Sequence, residues 1–184
     1  MSQSELLIHA IKALADTTTE HMLTGSLVSS MQGEPRATHD IDLVVAASTD
    51  SIVAFLERFP PEEYYYDVDS AKEEIRRGGM FNILSMTGDK VDIWALTDSE
   101  FDQSRFARKL QVEFLGLDVN ISSPEDTILM KLLWSKQGGG SEKQLFDAAK
   151  VYDMQRDILD EEYLRAWIQK LGLEGQVAAM QRTL

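Results

Sequence analysis

The spacing of hydrophobic positions changes along the chain, and each spacing predicts a different secondary-structure element. Apolar residues recur at helical intervals over residues 4–17 and again over 49–59, which predicts two amphipathic helices. The segment "DIDLVVAA" (40–47) alternates between polar and apolar residues and then becomes wholly apolar, as a buried central strand does. Two β-rich runs surround the turn residues 87–90 and predict a hairpin, and residues 109–121 predict a smaller one.

Two shorter segments carry weaker strand patterns. "HMLTGS" (21–26) predicts a short strand that runs into a turn, before the polar stretch "MQGEPRATH". The tyrosines at 64–66 predict an edge strand that packs on the sheet, although aromatic side chains can also stack on a nucleotide base.

From residue 122 onward the pattern predicts only helices. Ser123 can cap the first of them, and the glycines of "QGGGSE" interrupt the helical pattern. Further helices are predicted over 142–154, 160–171 and 173–182. The sequence therefore predicts an α+β protein: a mixed-sheet core flanked by helices over residues 1–121, followed by a helical C-terminal lobe over 122–184.

Composition narrows the chemistry open to this chain. It has 184 residues, no cysteine and three scattered histidines, which excludes disulfides, thiol nucleophiles and imidazole-rich metal sites. A formal net charge of −13 repels phosphate backbones, so we expect no unaided binding to nucleic acid. No apolar run approaches the length of a bilayer span and the N-terminal residues lack a signal-peptide pattern, so we expect a cytoplasmic protein without membrane contact.

Asp40 and Asp42 occupy a predicted strand that is otherwise apolar. Side chains at positions i and i+2 of a strand share a face, so both carboxylates point one way while Ile41 and Leu43 point the other. Two carboxylates this close repel each other and lose hydration unless a cation lies between them. Magnesium is the natural candidate, because it binds carboxylates, waters and substrate phosphates together.

Two further features indicate phosphate chemistry. Gly25 and Ser26 follow an apolar strand in "LTGS", where backbone N–H groups and a hydroxyl can bind a phosphate oxygen. Asp92 lies alone between apolar residues in "KVDIWAL", on another predicted strand. Gly25-Ser26, thirteen intervening residues, Asp40-Ile41-Asp42-Leu43 and a later Asp92 together resemble the signature of the nucleotidyltransferase superfamily of DNA polymerase beta.

Within that superfamily, "RATHDIDLVV" and "SSPEDTILMKLLW" resemble the minimal nucleotidyltransferases of the AbiEii abortive-infection toxin type. The resemblance implies magnesium-dependent transfer of a nucleoside monophosphate from an NTP to an acceptor hydroxyl on a small molecule, a protein or an RNA end. It implies that Asp40, Asp42 and Asp92 bind two magnesium ions and act in catalysis. The nucleotide-binding residues that it implies are Gly25, Ser26, Arg36 and Lys131. It also implies an antitoxin as a possible protein partner.

Other hypotheses stay open on sequence alone. AbiEii-type relatives commonly carry Lys-Asp-Leu-x-Asp after the lysine-bearing helix, whereas this chain has Gln144 in place of the first Asp. That departure favours, as an alternative, a nucleotide-binding or partner-binding module without turnover, and a third hypothesis treats the carboxylates as incidental surface groups. A local basic groove would restore an RNA acceptor, and its candidate residues are Arg76, Arg77, Lys90, Arg105, Arg108 and Lys109.

Overall fold

The structure is a computed structural model and describes residues 2–183. The chain divides into two compact units. One comprises the chain up to Thr24 together with Thr38–Ile121, and the other comprises Gly25–Ala37 together with the chain from Ser122 onward. The predicted division into lobes at residue 122 stays a prediction.

The first unit is built on a seven-stranded mixed sheet, which confirms the predicted fold class. Its strands are β1 (Glu20–Thr24), β2 (Asp40–Ala46), β3 (Tyr64–Tyr65), β4 (Met80–Ser85), β5 (Lys90–Ala95), β6 (Leu110–Phe114) and β7 (Leu117–Ile121), in the spatial order β3-β4-β5-β2-β1-β7-β6. Its helices are α1 (Gln3–Asp16), α3 (Thr49–Leu56), α4 (Val68–Arg77) and α5 (Glu100–Ala107). Strand β2 lies between β1, to which it is antiparallel, and β5, to which it is parallel.

The two faces of the sheet differ in chemistry. Ile41, Leu43 and Val45 of β2 point to one face and are almost wholly buried. Helix α1 contacts β1 and β5, and α4 contacts β4 and β5. On the other face Val44 packs against Phe106 of α5. Because alternate residues share a face, Asp40 and Asp42 lie on the same side of β2 as Val44. The carboxylates therefore continue an apolar, helix-covered face toward the start of the strand.

The regular patterns of the sequence predicted every strand of this unit and two of its four helices, whereas α4 and α5 were not predicted. Both predicted hairpins are present as β4–β5 and β6–β7. The predicted helices over 4–17 and 49–59 correspond to α1 and α3. Tyr64 and Tyr65 form the edge strand β3, as predicted.

The second unit consists of helices: α2 (Gly25–Gln32), α6 (Pro124–Gln137), α7 (Glu142–Gln155), α8 (Glu161–Leu171) and α9 (Glu174–Gln181). Ser123 caps α6 through the backbone N–H of Asp126, and Gly172 ends α8 in the left-handed conformation. The sequence predicted these helices except α2, where it predicted a turn. Helix α2 begins at Gly25, directly after β1.

Every helix within residues 2–183 is too short or too polar to span a lipid bilayer. The expected cytoplasmic location stays a prediction.

Candidate active site

The three carboxylates predicted for catalysis lie on adjacent parallel strands. Residues of β2 and β5 pair in register, Asp40 with Lys90 and Asp42 with Asp92. Side chains that pair across a parallel ladder point to the same face, so Asp40, Asp42 and Asp92 share one face of the sheet. The pairing of β2 with β5 thus brings together three acids from two segments that lie about fifty residues apart in the chain.

The three acids have different surroundings. The side chain of Asp92 is 9% exposed, whereas that of Asp40 is 49% exposed. One oxygen of Asp92, Oδ1, is buried and has no hydrogen-bond partner among the described residues. Asp42 accepts a hydrogen bond from Trp94 Nε1 at 3.3 Å. An unpaired buried carboxylate oxygen is costly, and a cation or a proton donor would satisfy it.

Lys90 supplies the cation nearest to these carboxylates. Its Nζ lies 2.7 Å from Asp92 Oδ2 and 3.5 Å from Asp40 Oδ1. The hydrogen bond to Asp92 raises the pKa of Lys90 above its usual value, although partial burial opposes this. The sequence predicted Lys90 to lie in a turn and made it a candidate for a basic groove. Its position two residues before Asp92, and hence on the same strand face, was the signal that could have identified it.

The donor set suits a hard divalent cation. Carboxylate oxygens are the ligands that magnesium prefers, and Asp92 Oδ1 is a buried oxygen that lacks a partner within the described chain. Among residues 2–183, no three acidic or histidine side chains are gathered closely enough to form a ready-made metal site. The three acids thus suit magnesium in donor chemistry and share one strand face, but they are not gathered into a formed site, and Lys90 lies between two of them.

A second cluster, here called the cationic cluster, lies within the helical unit and consists of Ser26, Arg36, Lys131 and Asp147. Asp147 accepts hydrogen bonds from Lys131 Nζ at 2.8 Å and from two nitrogens of Arg36 at 2.9 and 3.1 Å. Ser26 Oγ accepts from the same two side chains, at 3.2 Å from Arg36 and 3.3 Å from Lys131. Three of the predicted nucleotide-binding residues are thus neighbours, joined by Asp147.

The charges of the cationic cluster are largely buried, so water screens their interactions only weakly. Lys131 is 1% exposed and the Asp147 side chain 5% exposed. Burial raises the pKa of Asp147, but the hydrogen bonds from Arg36 and Lys131 outweigh it, so the net shift is downward and the carboxylate is ionised at neutral pH. Two cations share one carboxylate, so the four side chains of the cluster together carry a formal charge of +1. Such a cluster attracts anions.

Gly25 and Ser26 occupy the first turn of α2. Gly25 has φ 76°, in the left-handed region that favours glycine. The first N–H groups of a helix lack intrahelical partners and attract negative charge, so this end of α2 adds to the pull of Arg36 and Lys131 on an anion.

The position that departs from the AbiEii-type pattern lies on α7. Gln144 Oε1 is buried and has no hydrogen-bond partner among the described residues. Asp147, three residues later on the same helix, keeps the acid that the cationic cluster uses. The departure therefore changes a neighbour of the cluster and leaves its ion pairs in place.

The candidate basic groove is largely neutralised by local ion pairs. Five of its six residues pair with acids: Arg76 with Glu73, Arg77 with Glu74, Lys90 with Asp92 and Asp40, Arg105 with Asp102, and Lys109 with Glu20. These side chains are already engaged with carboxylates of the same unit. The hypothesis of a basic RNA groove loses support from this arrangement.

Comparison with solved structures identifies the fold. ANT(2")-Ia in complex with adenylyl-2"-tobramycin matches with a TM-score of 0.64 at 13% identity, over 92% of this chain and 96% of that one. An antigenic nucleotidyltransferase-like protein from Paracoccidioides brasiliensis matches with a TM-score of 0.57 at 16% identity, over 100% and 94%. This chain has a nucleotidyltransferase fold. The lincomycin-bound lincosamide antibiotic adenylyltransferase LnuA is also similar, with a TM-score of 0.56 at 12% identity over 80% and 95%.

No protein-family model and no curated protein matches this chain. Sequence identities of this size carry the fold and not the reaction, so the assignment of an activity depends on the site itself.

Proposed function

We propose that this chain is a magnesium-dependent nucleotidyltransferase, which moves a nucleoside monophosphate from an NTP to an acceptor hydroxyl and releases pyrophosphate. The observation that carries the proposal is that Asp40, Asp42 and Asp92 share one face of the paired strands β2 and β5. Asp42 pairs directly with Asp92, and Asp40 lies two residues before Asp42. The unpaired buried oxygen of Asp92 supports it, because a purely structural carboxylate would be expected to have its hydrogen bonds satisfied.

Asp40 and Asp42 would hold two magnesium ions, and Asp92 would share one of them. When bound, the ions supply positive charge that stabilises the negative charge shifting between attacking and leaving oxygens. In the reaction an acceptor oxygen forms a bond to the α-phosphorus while the bond from that phosphorus to the pyrophosphate oxygen breaks. Asp92, buried and with an oxygen to spare, would help to remove the proton from the acceptor hydroxyl.

Gly25, Ser26, Arg36 and Lys131 would bind the triphosphate. Support comes from the excess positive charge of the cationic cluster and from the N-terminal turn of α2. Lys131 and Arg36 are held by Asp147 before any ligand arrives, so little side-chain entropy would be lost on binding.

The finer assignment is to the AbiEii-like type, and it includes a toxin role with an antitoxin partner. Its support is the pair of segments "RATHDIDLVV" and "SSPEDTILMKLLW", whose arginine and lysine both belong to the cationic cluster.

For the acceptor we favour a small molecule or a protein hydroxyl over an RNA end. The net charge of −13 and the ion pairs of five candidate groove cations both disfavour contact with the phosphate backbone of an RNA acceptor. Two similar structures also contain small molecules, an adenylylated tobramycin and lincomycin.

The proposal is tested by pyrophosphate release from each of the four NTPs with magnesium, in a lysate that supplies acceptors. Wild type should release pyrophosphate and Asp42→Asn should lose about a thousandfold in rate, since a carboxylate of the metal site is removed. Asp50→Asn, an exposed aspartate at the start of α3, is the matched control and should retain full activity. Equal release by wild type and Asp42→Asn would refute the assignment.

The second candidate function is a nucleotide-binding module without turnover, and Gln144 is the observation that favours it. It would bind magnesium and NTP without releasing pyrophosphate. In that case Gln144→Asp, which restores the acid of the AbiEii-type pattern, is the variant in which to look for recovered release.

A further inference from the structure

The place between the carboxylates of β2 and β5 is taken by a side chain of the protein itself. Lys90 Nζ bridges Asp92 and Asp40 at 2.7 and 3.5 Å. It is the residue that pairs with Asp40 across the parallel ladder, so the backbone register, and not a chance rotamer, brings it to this face. A metal ion shared by Asp40 and Asp92 would need the same space between the same two oxygens.

We infer that Lys90 is a tethered counter-cation that holds Asp40 and Asp92 together in the metal-free protein and is displaced when a divalent cation binds. This inference deepens the proposed function and rests on its metal site. A divalent ion with twice the charge of an ammonium group competes effectively for two carboxylates, and one of these lies in a largely buried position where charge pairing is strong.

The side chain of Lys90 has the properties that displacement requires. It is 35% exposed, so the ammonium group can move into water along its flexible stem. Its bonds to Asp92 and Asp40 use Oδ2 of the first and Oδ1 of the second, and Oδ1 of Asp92 keeps no partner within the described residues. The ammonium group therefore satisfies the pair incompletely, whereas an ion of higher coordination number can bind the remaining oxygen as well.

Removal of Lys90 should strengthen metal binding, and this can be measured without any turnover. The full chain, without NTP, is titrated with Mn²⁺ while free Mn²⁺ is followed by electron paramagnetic resonance. Lys90→Met removes the competing charge and should lower the Mn²⁺ dissociation constant about tenfold, the size expected for the loss of one partly buried charge pair. Lys90→Arg keeps the charge and should bind no more tightly than wild type.

Lys109→Met is the matched control, because it changes the net charge by the same amount. Within residues 2–183 Lys109 pairs with one acid, Glu20, at 3.3 Å. Its Mn²⁺ affinity should stay close to that of wild type. If Lys90→Met and Lys109→Met change the affinity equally, the effect is one of overall charge and the inference is wrong.

A second measurement detects the displacement directly in wild type. The rate at which an amine-reactive reagent modifies Lys90, mapped by peptide mass spectrometry, should rise several-fold on addition of Mn²⁺, whereas the rate at Lys109 should not change. A Lys90 rate that stays constant while Mn²⁺ binds would show that the ammonium group remains in place and would overturn displacement. If neither wild type nor Lys90→Met binds Mn²⁺, both the metal site of the proposed function and this inference are wrong. If both bind Mn²⁺ equally tightly, only this inference is wrong.

Discussion

Asp147 shows how one buried carboxylate can organise a whole site. It accepts hydrogen bonds from both Arg36 and Lys131 and is itself nearly inaccessible. Asp147→Asn would leave two cations facing each other without their counter-ion. Loss of one partner from a buried ion pair is strongly destabilising, so the free energy of unfolding at pH 7 should fall by about 3 kcal/mol. Urea denaturation measures this change, and Asp153→Asn, an exposed aspartate on the same helix, should have almost no effect.

The same residue gives the stability a pH dependence of known sign. The two cations lower the pKa of Asp147 in the folded chain despite the opposing effect of burial. Its contribution is therefore complete above the unfolded value of about 3.9 and is lost as the pH falls through the lower folded value. The gap in unfolding free energy between wild type and Asp147→Asn should begin to narrow near about pH 4 and should shrink further as the pH falls toward the folded pKa of Asp147. A gap of constant size from pH 7 to pH 3 would contradict this account.

The sequence indicated an anionic partner as one of two outcomes for Lys131, but it could not predict which residue that partner is. Lys131 lies in an apolar helical segment, where a cation must either reach water or meet an anion, and the structure shows the second outcome. Its partner Asp147 is 16 residues away on the next helix, and Arg36 is 111 residues from Asp147, so no local pattern could pair them. The cluster exists because α2, the loop that follows it, α6 and α7 meet, which only the tertiary fold decides.

At the scale of elements, regular periodicity predicted the strands and most helices, whereas α2, α4 and α5 were missed. Strand β2 and the hairpins repeat a two-residue pattern strongly enough to fix their faces. Helix α2 is eight residues long, starts with a glycine and contains three serines, all weak helix formers. Its stability comes from contacts with α6 and α7 in the same unit, and local propensity does not report such contacts.

The packing of α2 on α7 depends on a close backbone approach at Gly33, just after the end of α2. A Cβ atom at this position would lie 2.9 Å from Val151 N and 3.0 Å from Ser29 O, which are both backbone atoms. Because backbone atoms cannot rotate away, Gly33→Ala should force the helices apart and lower the free energy of unfolding by about 2 kcal/mol. Chemical denaturation checks this value.

Gly175→Ala is the control for that substitution. Gly175 lies in α9 and a Cβ atom there meets nothing within 4 Å, so alanine should stabilise the helix by about 0.5–1 kcal/mol. If the two glycine variants have the same stability, close packing at Gly33 is not what holds α2 against α7.

At the scale of the whole molecule, charge decides which acceptors are plausible. The chain has thirty-one acidic and eighteen basic residues, so its overall electrostatic potential is negative. Most of the candidate groove cations of the first unit already form local ion pairs. Binding to a nucleic-acid backbone requires several basic side chains that exchange counter-ions with phosphates. The cationic cluster offers one excess charge, which suits a single triphosphate better than a polynucleotide.

This balance predicts the nature of the labelled product. When the chain transfers label from an α-³²P NTP in a lysate, prior digestion of the lysate with ribonuclease should reduce the acceptor-bound label by less than about twofold, because a protein this acidic gains little from phosphate contacts. Separation of the product by size then assigns the label to a protein or to a small molecule. Asp42→Asn is the blank for every fraction. Label that disappears after ribonuclease treatment would identify RNA as the acceptor. The paired cations near β5 would then have to exchange their carboxylate partners for RNA phosphates. High salt screens such contacts and should therefore prevent labelling of RNA.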